Sequence, residues 1–210
     1  MSKYCYDDYV SRLNLSEKIY YQLEDLLLDF IDYVPLDFKH MTVYSHRLIT
    51  IILEVGPEIF NAFDLAISQE RLSSSFNEKI RQAKKDLLQK EQKLKKRKKS
   101  LTFKDYYDFL NTYPSIKISS AKITVFDLNA YIMPFEEMNS DWWESYNNLR
   151  HDKYNHLKEA TLRNAITSLG ALYWLVYNNK EKNARTVEDL ISSDLFSEYY
   201  PEYTKNSRKF

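Results

Sequence analysis

Residues 157–177 read LKEATLRNAITSLGALYWLVY, and this stretch decides the fold. Ala160, Leu162, Ala165, Ile166, Leu169, Ala171, Leu172, Trp174 and Leu175 recur at helical spacing and leave little polar surface on any side. A helix that is apolar nearly all round belongs in a core or against a partner subunit. Polar residues interrupt it too often for it to cross a bilayer, and no apolar run of 18 residues occurs anywhere else.

Outward from this helix the chain keeps a helical rhythm. Over 14–33 the apolar set is Leu15, Ile19, Leu23, Leu26, Leu27, Phe30 and Ile31, with Asn14 and Glu17 as a capping pair and Pro35 closing the element. A second helix is expected over 42–68 on the stripe Leu48, Ile51, Ile52, Val55, Ile59, Phe60 and Phe63, kinked near Glu54 by Pro57. A third, far more polar, covers 69–99. Thr102 opens a short helix over 103–110 that ends before Pro114. Ser140 can cap another that begins at Asp141, and Thr186 starts a last short one through Leu195. Only Ile116, Ile118, Ile123 and Val125 alternate with polar residues, which allows one small β-hairpin near 116–125.

The expected class is all-α: a bundle of four to five main helices in a single domain over 1–210. Composition agrees. The 210 residues are 44% hydrophobic, enough for a core, and hold only 2 glycines and 5 prolines, too few for the turns of a many-stranded fold. The single cysteine, Cys5, excludes an intrachain disulfide framework and suits a reducing, cytoplasmic setting. Residues 1–8 contain no apolar h-region, so no secretory signal is expected.

Formal net charge is zero, yet the charge is unevenly placed. Within 84–99, nine cations (Lys84, Lys85, Lys90, Lys93, Lys95, Lys96, Arg97, Lys98 and Lys99) face only Asp86 and Glu91. Such a patch attracts polyanions, and Lys93, Lys95, Lys96, Arg97, Lys98 and Lys99 are candidate RNA contacts. A solvated helix extension or charged connector is the alternative. Gly56 and Gly170 stand alone, so no phosphate-cradling glycine loop exists, which excludes P-loop and Rossmann chemistry. His40 and His46 lack the cysteines or clustered carboxylates of a zinc site, and neither metal nor cofactor is expected.

Chemistry concentrates in Tyr146-Asn147-Asn148-Leu149-Arg150-His151-Asp152-Lys153-Tyr154-Asn155-His156. Arginine stays charged and forks onto phosphate oxygens, while histidine titrates near neutrality and can give or take a proton. Arg150 with His156, and His151 beside it, are the catalytic candidates; Asp152, Asn147 and Asn155 could orient an imidazole or hold a phosphate. On a straight helix six residues turn the chain about 600°, leaving Arg150 and His156 about 120° apart. A break near His151, with Asn155 capping a new turn, would change that. Trp142 and Trp143 read as core or interface residues before they read as base-stacking platforms.

Arg150, His151, four further residues and then His156 match the R-x(4–6)-H signature of the HEPN superfamily. Pro134-Phe135, Trp142-Trp143-Glu144-Ser145-Tyr146-Asn147 and Leu149-Arg150-His151-Asp152 resemble uncharacterised bacterial HEPN-like proteins with a WWxxYNxL(K/R)HD segment. The resemblance covers 44–63 and 103–177. That group often reads Lys-His-Asp-Arg where this chain has Arg150-His151-Asp152-Lys153, so the shared histidine is either His156 or His151. The resemblance implies a HEPN-like bundle that pairs as a homodimer around a composite cleft. It further implies metal-independent cleavage of RNA (tRNA among the candidates), a role in toxin–antitoxin systems or phage defence, and an antitoxin or regulatory protein as partner. The alternative is a noncatalytic HEPN-like module that binds RNA, a nucleotide or a protein; a structural subunit using the 157–177 helix as an apolar interface is a third.

Overall fold

A computed structural model describes residues 3–68, 78–97, 99–112, 117–181, 193–198 and 208–209. Among them are six helices: α1 (Lys3–Ile31), α2 (His46–Ser68), α3 (Glu78–Lys96), α4 (Phe103–Asn111), α5 (Asp141–Asp152) and α6 (Leu162–Glu181). Four short strands, β1 (Ile123–Val125), β2 (Ala130–Ile132), β3 (Phe196–Glu198) and β4 (Arg208–Lys209), form one small sheet in the order β3-β1-β2-β4. The all-α bundle with a minor β element is therefore the observed class.

The core is built on α2 and α6. Leu48, Ile51, Ile52, Val55, Ile59 and Phe63 put one face of α2 wholly inside, and burying each large aliphatic side chain contributes about 1.5–3 kcal/mol. The helix is continuous through Pro57. Against it lies α6, with Leu162, Ile166, Leu169, Leu172 and Val176 buried, and α1 closes the third side through Tyr20, Leu23 and Leu27. The apolar surface of the 157–177 stretch is thus consumed within its own chain. That removes the observation on which the structural-subunit reading rested.

Backbone ends are satisfied as helical termini require. The first amides of α6, from Leu162 and Arg163, donate to the carbonyls of Val43 and Met41, and a single bridge joins Tyr44 to Thr161. Thr102 and Asp105 form a capping box on α4. Inside the core, the Asn179 side-chain amide donates 3.0 Å to the Ala62 carbonyl, pinning α6 to α2. The Glu24 carboxylate is buried and accepts from the Tyr20 hydroxyl at 2.7 Å, from the Leu195 amide at 3.3 Å and from Ser193. It clasps α1 to the segment that enters β3.

Several expectations are corrected. The first helix begins well before Asn14, so the Asn14–Glu17 pair caps nothing; no proline or glycine precedes it, and Tyr9 and Leu13 pack on Leu65 and extend the buried face. The hairpin has its first strand at the end of 116–125 and its second beyond it: residues 118–120 form a 3₁₀ turn, and β1 pairs antiparallel with β2 from Ile123↔Ile132 to Val125↔Ala130. Asn129, at φ 45°, makes the turn, a left-handed position that asparagine tolerates. The predicted helix from Thr186 falls mostly outside the described residues, and at its end Phe196 is already in a strand. The long apolar helix starts at Leu162 rather than 157, because 157–159 are a 3₁₀ turn.

Two close approaches seat the motif helix and the sheet. A Cβ on Gly56 would stand 2.0–2.4 Å from ring carbons of Tyr146, so α5 packs on α2 where α2 has no side chain. A Cβ on Gly170 would meet Ile132 Cδ1 at 2.4 Å, which brings α6 against β2. Around α5 an aromatic layer forms from Phe63, Phe103, Phe135, Trp142, Trp143 and Tyr146, with Phe103 stacked on Trp143 at 4.1 Å. The Trp142 indole donates 2.7 Å to the Pro134 carbonyl. Both tryptophans serve packing, as their apolar surroundings demand.

Candidate functional site

The motif lies on α5 and the corner that follows it. Trp142, Ser145, Tyr146 and Leu149 are the buried face of α5. Its last turn therefore projects Arg150, His151 and Asp152 into solvent. The helix ends at Asp152, as the alternative with a break near His151 anticipates, so the straight-helix angle between Arg150 and His156 does not apply. Asp152 holds the corner: its carboxylate accepts from the Asn155 side chain at 2.6 Å and from the Asn155 amide at 3.3 Å. Those donors, the side chain first, hold the Asp152 carboxyl below the usual carboxylate range.

Arg150 partners its neighbour. Its guanidinium lies 5.4 Å from the Tyr146 ring centre and donates to His151 Nε2 at 3.4 Å. A guanidinium can only donate, so this contact needs a neutral His151 with Nε2 as acceptor.

His156 is held differently. Its Nδ1 lies 2.6 Å from Glu159 Oε1, and Asn148 donates to the other carboxylate oxygen at 3.0 Å. The Glu159 carbonyl in turn accepts from Ser145 Oγ and from the Asn164 side chain, both at 2.8 Å. A carboxylate that accepts Nδ1–H fixes the tautomer and leaves Nε2 as the proton acceptor. Glu159 and Asn148 were missed from the sequence. The i to i+3 spacing of His156 and Glu159 was the available signal, readable only once the short turn at 157–159 is known.

Neither of the two clefts described beside α5 is lined by both Arg150 and His156. Trp143, Asn147 and Arg150 lie at i, i+4 and i+7 on one flank of α5 and line a cleft of about 390 Å³ with Phe103 and Lys104. Asp141, Glu144, Ser145 and Asn148 lie on the other flank and line a cleft of about 340 Å³ together with Glu159 and Arg163. At 100° per residue the two flanks are about 150° apart. Asn147 spends its side-chain amide on the Trp143 carbonyl at 2.9 Å.

The basic run is a packed amphipathic helix rather than a connector. Leu87 is buried and Leu94 half-buried against the core; Lys90 pairs with Asp105, and Lys84 donates to the Ile67 carbonyl at 2.8 Å. Lys95 pairs with Glu91 along the helix. Among the described residues Lys93, Lys96 and Arg97 make no ion pair with a carboxylate. With Lys90 and Leu94 they line a shallow groove of about 320 Å³. Lys99 is exposed, and Lys98 lies outside the described residues.

Among the described residues, no group of three or more His, Cys, Asp or Glu could hold a metal ion, and no helix is long and apolar enough to cross a membrane. What the fold and site define is a helical bundle with a small sheet, carrying an arginine–imidazole pair and a carboxylate-held imidazole at one exposed corner. No family model, curated protein or solved structure matches this chain.

Proposed function

We propose that this chain is a HEPN-like endoribonuclease that cleaves RNA by attack of a 2′-hydroxyl on the neighbouring phosphorus. The observation that carries the reading is the exposed α5–α6 corner, where Arg150 stands free of any carboxylate among the described residues and His156 is oriented by Glu159. In that reaction a base takes the 2′-hydroxyl proton as the P–O2′ bond forms. An acid protonates the 5′ oxygen as the P–O5′ bond breaks, and a cation steadies the charge on the phosphorane. Arg150 supplies the cation, and His156, with Nε2 left as acceptor, suits the base. His151, exposed on the last turn of α5, suits the acid once protonated, a state that gives up its contact with Arg150. General acid–base help typically supplies about 10²–10⁴-fold, so charge stabilisation must supply much of the remainder.

Within one chain Arg150 lines the cleft on one flank of α5, whereas His156 lies beyond the helix end and is tied to Glu159, which lines the other cleft. Two copies meeting at this corner would place both groups on one phosphate. The same separation favours a second reading, a module that binds RNA without cutting it. Cleavage of a tRNA pool and of a mixed-sequence RNA in EDTA, by wild type, Arg150→Ala and His156→Ala, separates the two. Wild-type cutting abolished by either change supports the nuclease and its metal independence. Absence of cutting on both substrates, with binding retained, supports the module. A protein that is monomeric in solution yet fully active refutes the two-copy site.

A further inference from the structure

Two features joined by the chain that leaves α3 carry complementary chemistry. The first is the groove on α3. Lys90, Lys93 and Arg97 recur at i, i+3 and i+7, so they form a single cationic stripe, with Lys96 at its edge and the Leu94 side chain as floor. Three of these four cations, Lys93, Lys96 and Arg97, lack a carboxylate partner among the described residues, so binding a polyanion there breaks no ion pair. The second feature is the Arg150 cleft. Its near wall is the chain that leaves α3, from Ser100 to Lys104, and its far wall carries Arg150 and Asn147.

The two features are neighbours by covalent geometry. Seven residues of helix put Lys90 and Arg97 about 10 Å apart along α3. Only three Cα–Cα steps separate Arg97 from Ser100, which bounds their Cα distance at about 11 Å. A polymer lying on the stripe therefore reaches the mouth of the cleft within about 20 Å. The cleft, at about 390 Å³, has the size of a small-molecule site, which admits one nucleotide and excludes a duplex.

We infer that α3 and the Arg150 cleft form one continuous track for single-stranded RNA, with the backbone on Lys93, Lys96 and Arg97 and one nucleotide seated beside Arg150. The inference rests on the reading of this chain as an RNA-directed protein, and it names the form of RNA taken and the direction from which it arrives. Phosphate contacts on α3 supply affinity without sequence preference, while the cleft admits a single unpaired nucleotide.

The test reads binding alone, by fluorescence anisotropy with a 2′-O-methylated dodecamer that cannot undergo 2′-hydroxyl attack. Lys93→Gln/Lys96→Gln/Arg97→Gln is compared with Lys18→Gln/Lys39→Gln/Lys122→Gln, which removes the same charge from exposed lysines elsewhere. Each phosphate contact on a single strand contributes about 0.7 to the logarithmic salt slope, so loss of three lowers the slope by about 2. Between 50 and 200 mM salt, wild type should lose roughly 20-fold more affinity than the α3 variant. A labelled dinucleotide, too short to span both features, should respond to Arg150→Ala and ignore the α3 changes. Equal effects of the two triple variants, duplex bound as tightly as single strand, or no binding of the dodecamer by wild type would each overturn the track. Because the oligomer cannot be cut, failure of the nuclease reading leaves this result standing. Cutting by wild type with a silent α3 variant would sink the track alone.

Discussion

Gly56→Ala should reveal how the motif helix is seated, because its effect is expected to change sign with the residue at position 146. Replacing glycine by alanine inside a helix ordinarily stabilises by about 0.5–1 kcal/mol. At Gly56 the new methyl would stand 2.0 Å from Tyr146 Cε2 and 2.3 Å from Cζ, and the Tyr146 ring is only 3% exposed, so it cannot swing into solvent. Overpacking of this kind costs about 1–3 kcal/mol, which outweighs the propensity gain in the wild-type background. Tyr146→Ala removes the obstructing ring at a cost of about 3–5 kcal/mol and leaves space for the methyl. In that background Gly56→Ala should stabilise. The double-mutant cycle should then show a coupling of about 1–3 kcal/mol, read from urea midpoints at constant m-value. A stabilising Gly56→Ala in wild type, or the same effect in both backgrounds within about 0.5 kcal/mol, would refute the argument that α5 is docked by this contact. Since Arg150 lies over the Tyr146 ring, the same single change should also weaken oligonucleotide binding at the cleft.

Glu159→Ala should lower RNA cleavage by about 10²-fold through the turnover number with substrate affinity kept, since it removes the acceptor that orients His156. The pair is part-exposed, so stability should move by less than about 1 kcal/mol; unchanged turnover in an active enzyme would dismiss the positioning role. At high pH the protein should lose stability through Tyr20 and Tyr106. Burial first, then the carboxylates of Glu24 and Asp64 beside them, push both phenols above the ordinary tyrosine value. A pKa raised on folding means that the protonated phenol stabilises fully below about pH 10 and that this contribution drains away as pH climbs further. Urea midpoints between pH 8 and 11 should fall steeply for wild type and less steeply for Tyr20→Phe/Tyr106→Phe; equal slopes would rule the phenols out.

The helices were legible where burial enforces a period. The α2 stripe from Leu48 to Phe63 and the apolar helix now labelled α6 sit where 3.6-residue spacing puts them, because each repeats the same contact with the core over many turns. What escaped the sequence is set by contacts between distant residues. Nothing local tells Ile123 to pair with Ile132 rather than continue from Ile116, and three-residue strands are too short for a period to accumulate. The helix over 14–33 was begun too late for a related reason: Asn14 looks like a cap only if Tyr9 and Leu13 have nowhere to pack, and Leu65, far along the chain, provides that place.

The same division runs through the candidate site. Arg150, His151 and His156 were visible as residue types, yet their partners were not. Arg150 meets His151 because both project from the last turn of α5, whereas His156 turns to Glu159 because the chain breaks at Asp152 and re-forms a tight turn at 157–159. That break is itself a tertiary effect. Residues 160–163 are drawn to the strand-like segment before α2 by the Leu162 and Arg163 amides, and α5 is drawn to Gly56. A continuous helix cannot satisfy both anchors, so the corner between them must open, and the open corner is where the cationic and imidazole groups reach solvent. A change that strengthens either anchor alone should leave the corner intact; one that frees α6 from Met41 and Val43 should let α5 extend and rotate His156 away from Glu159.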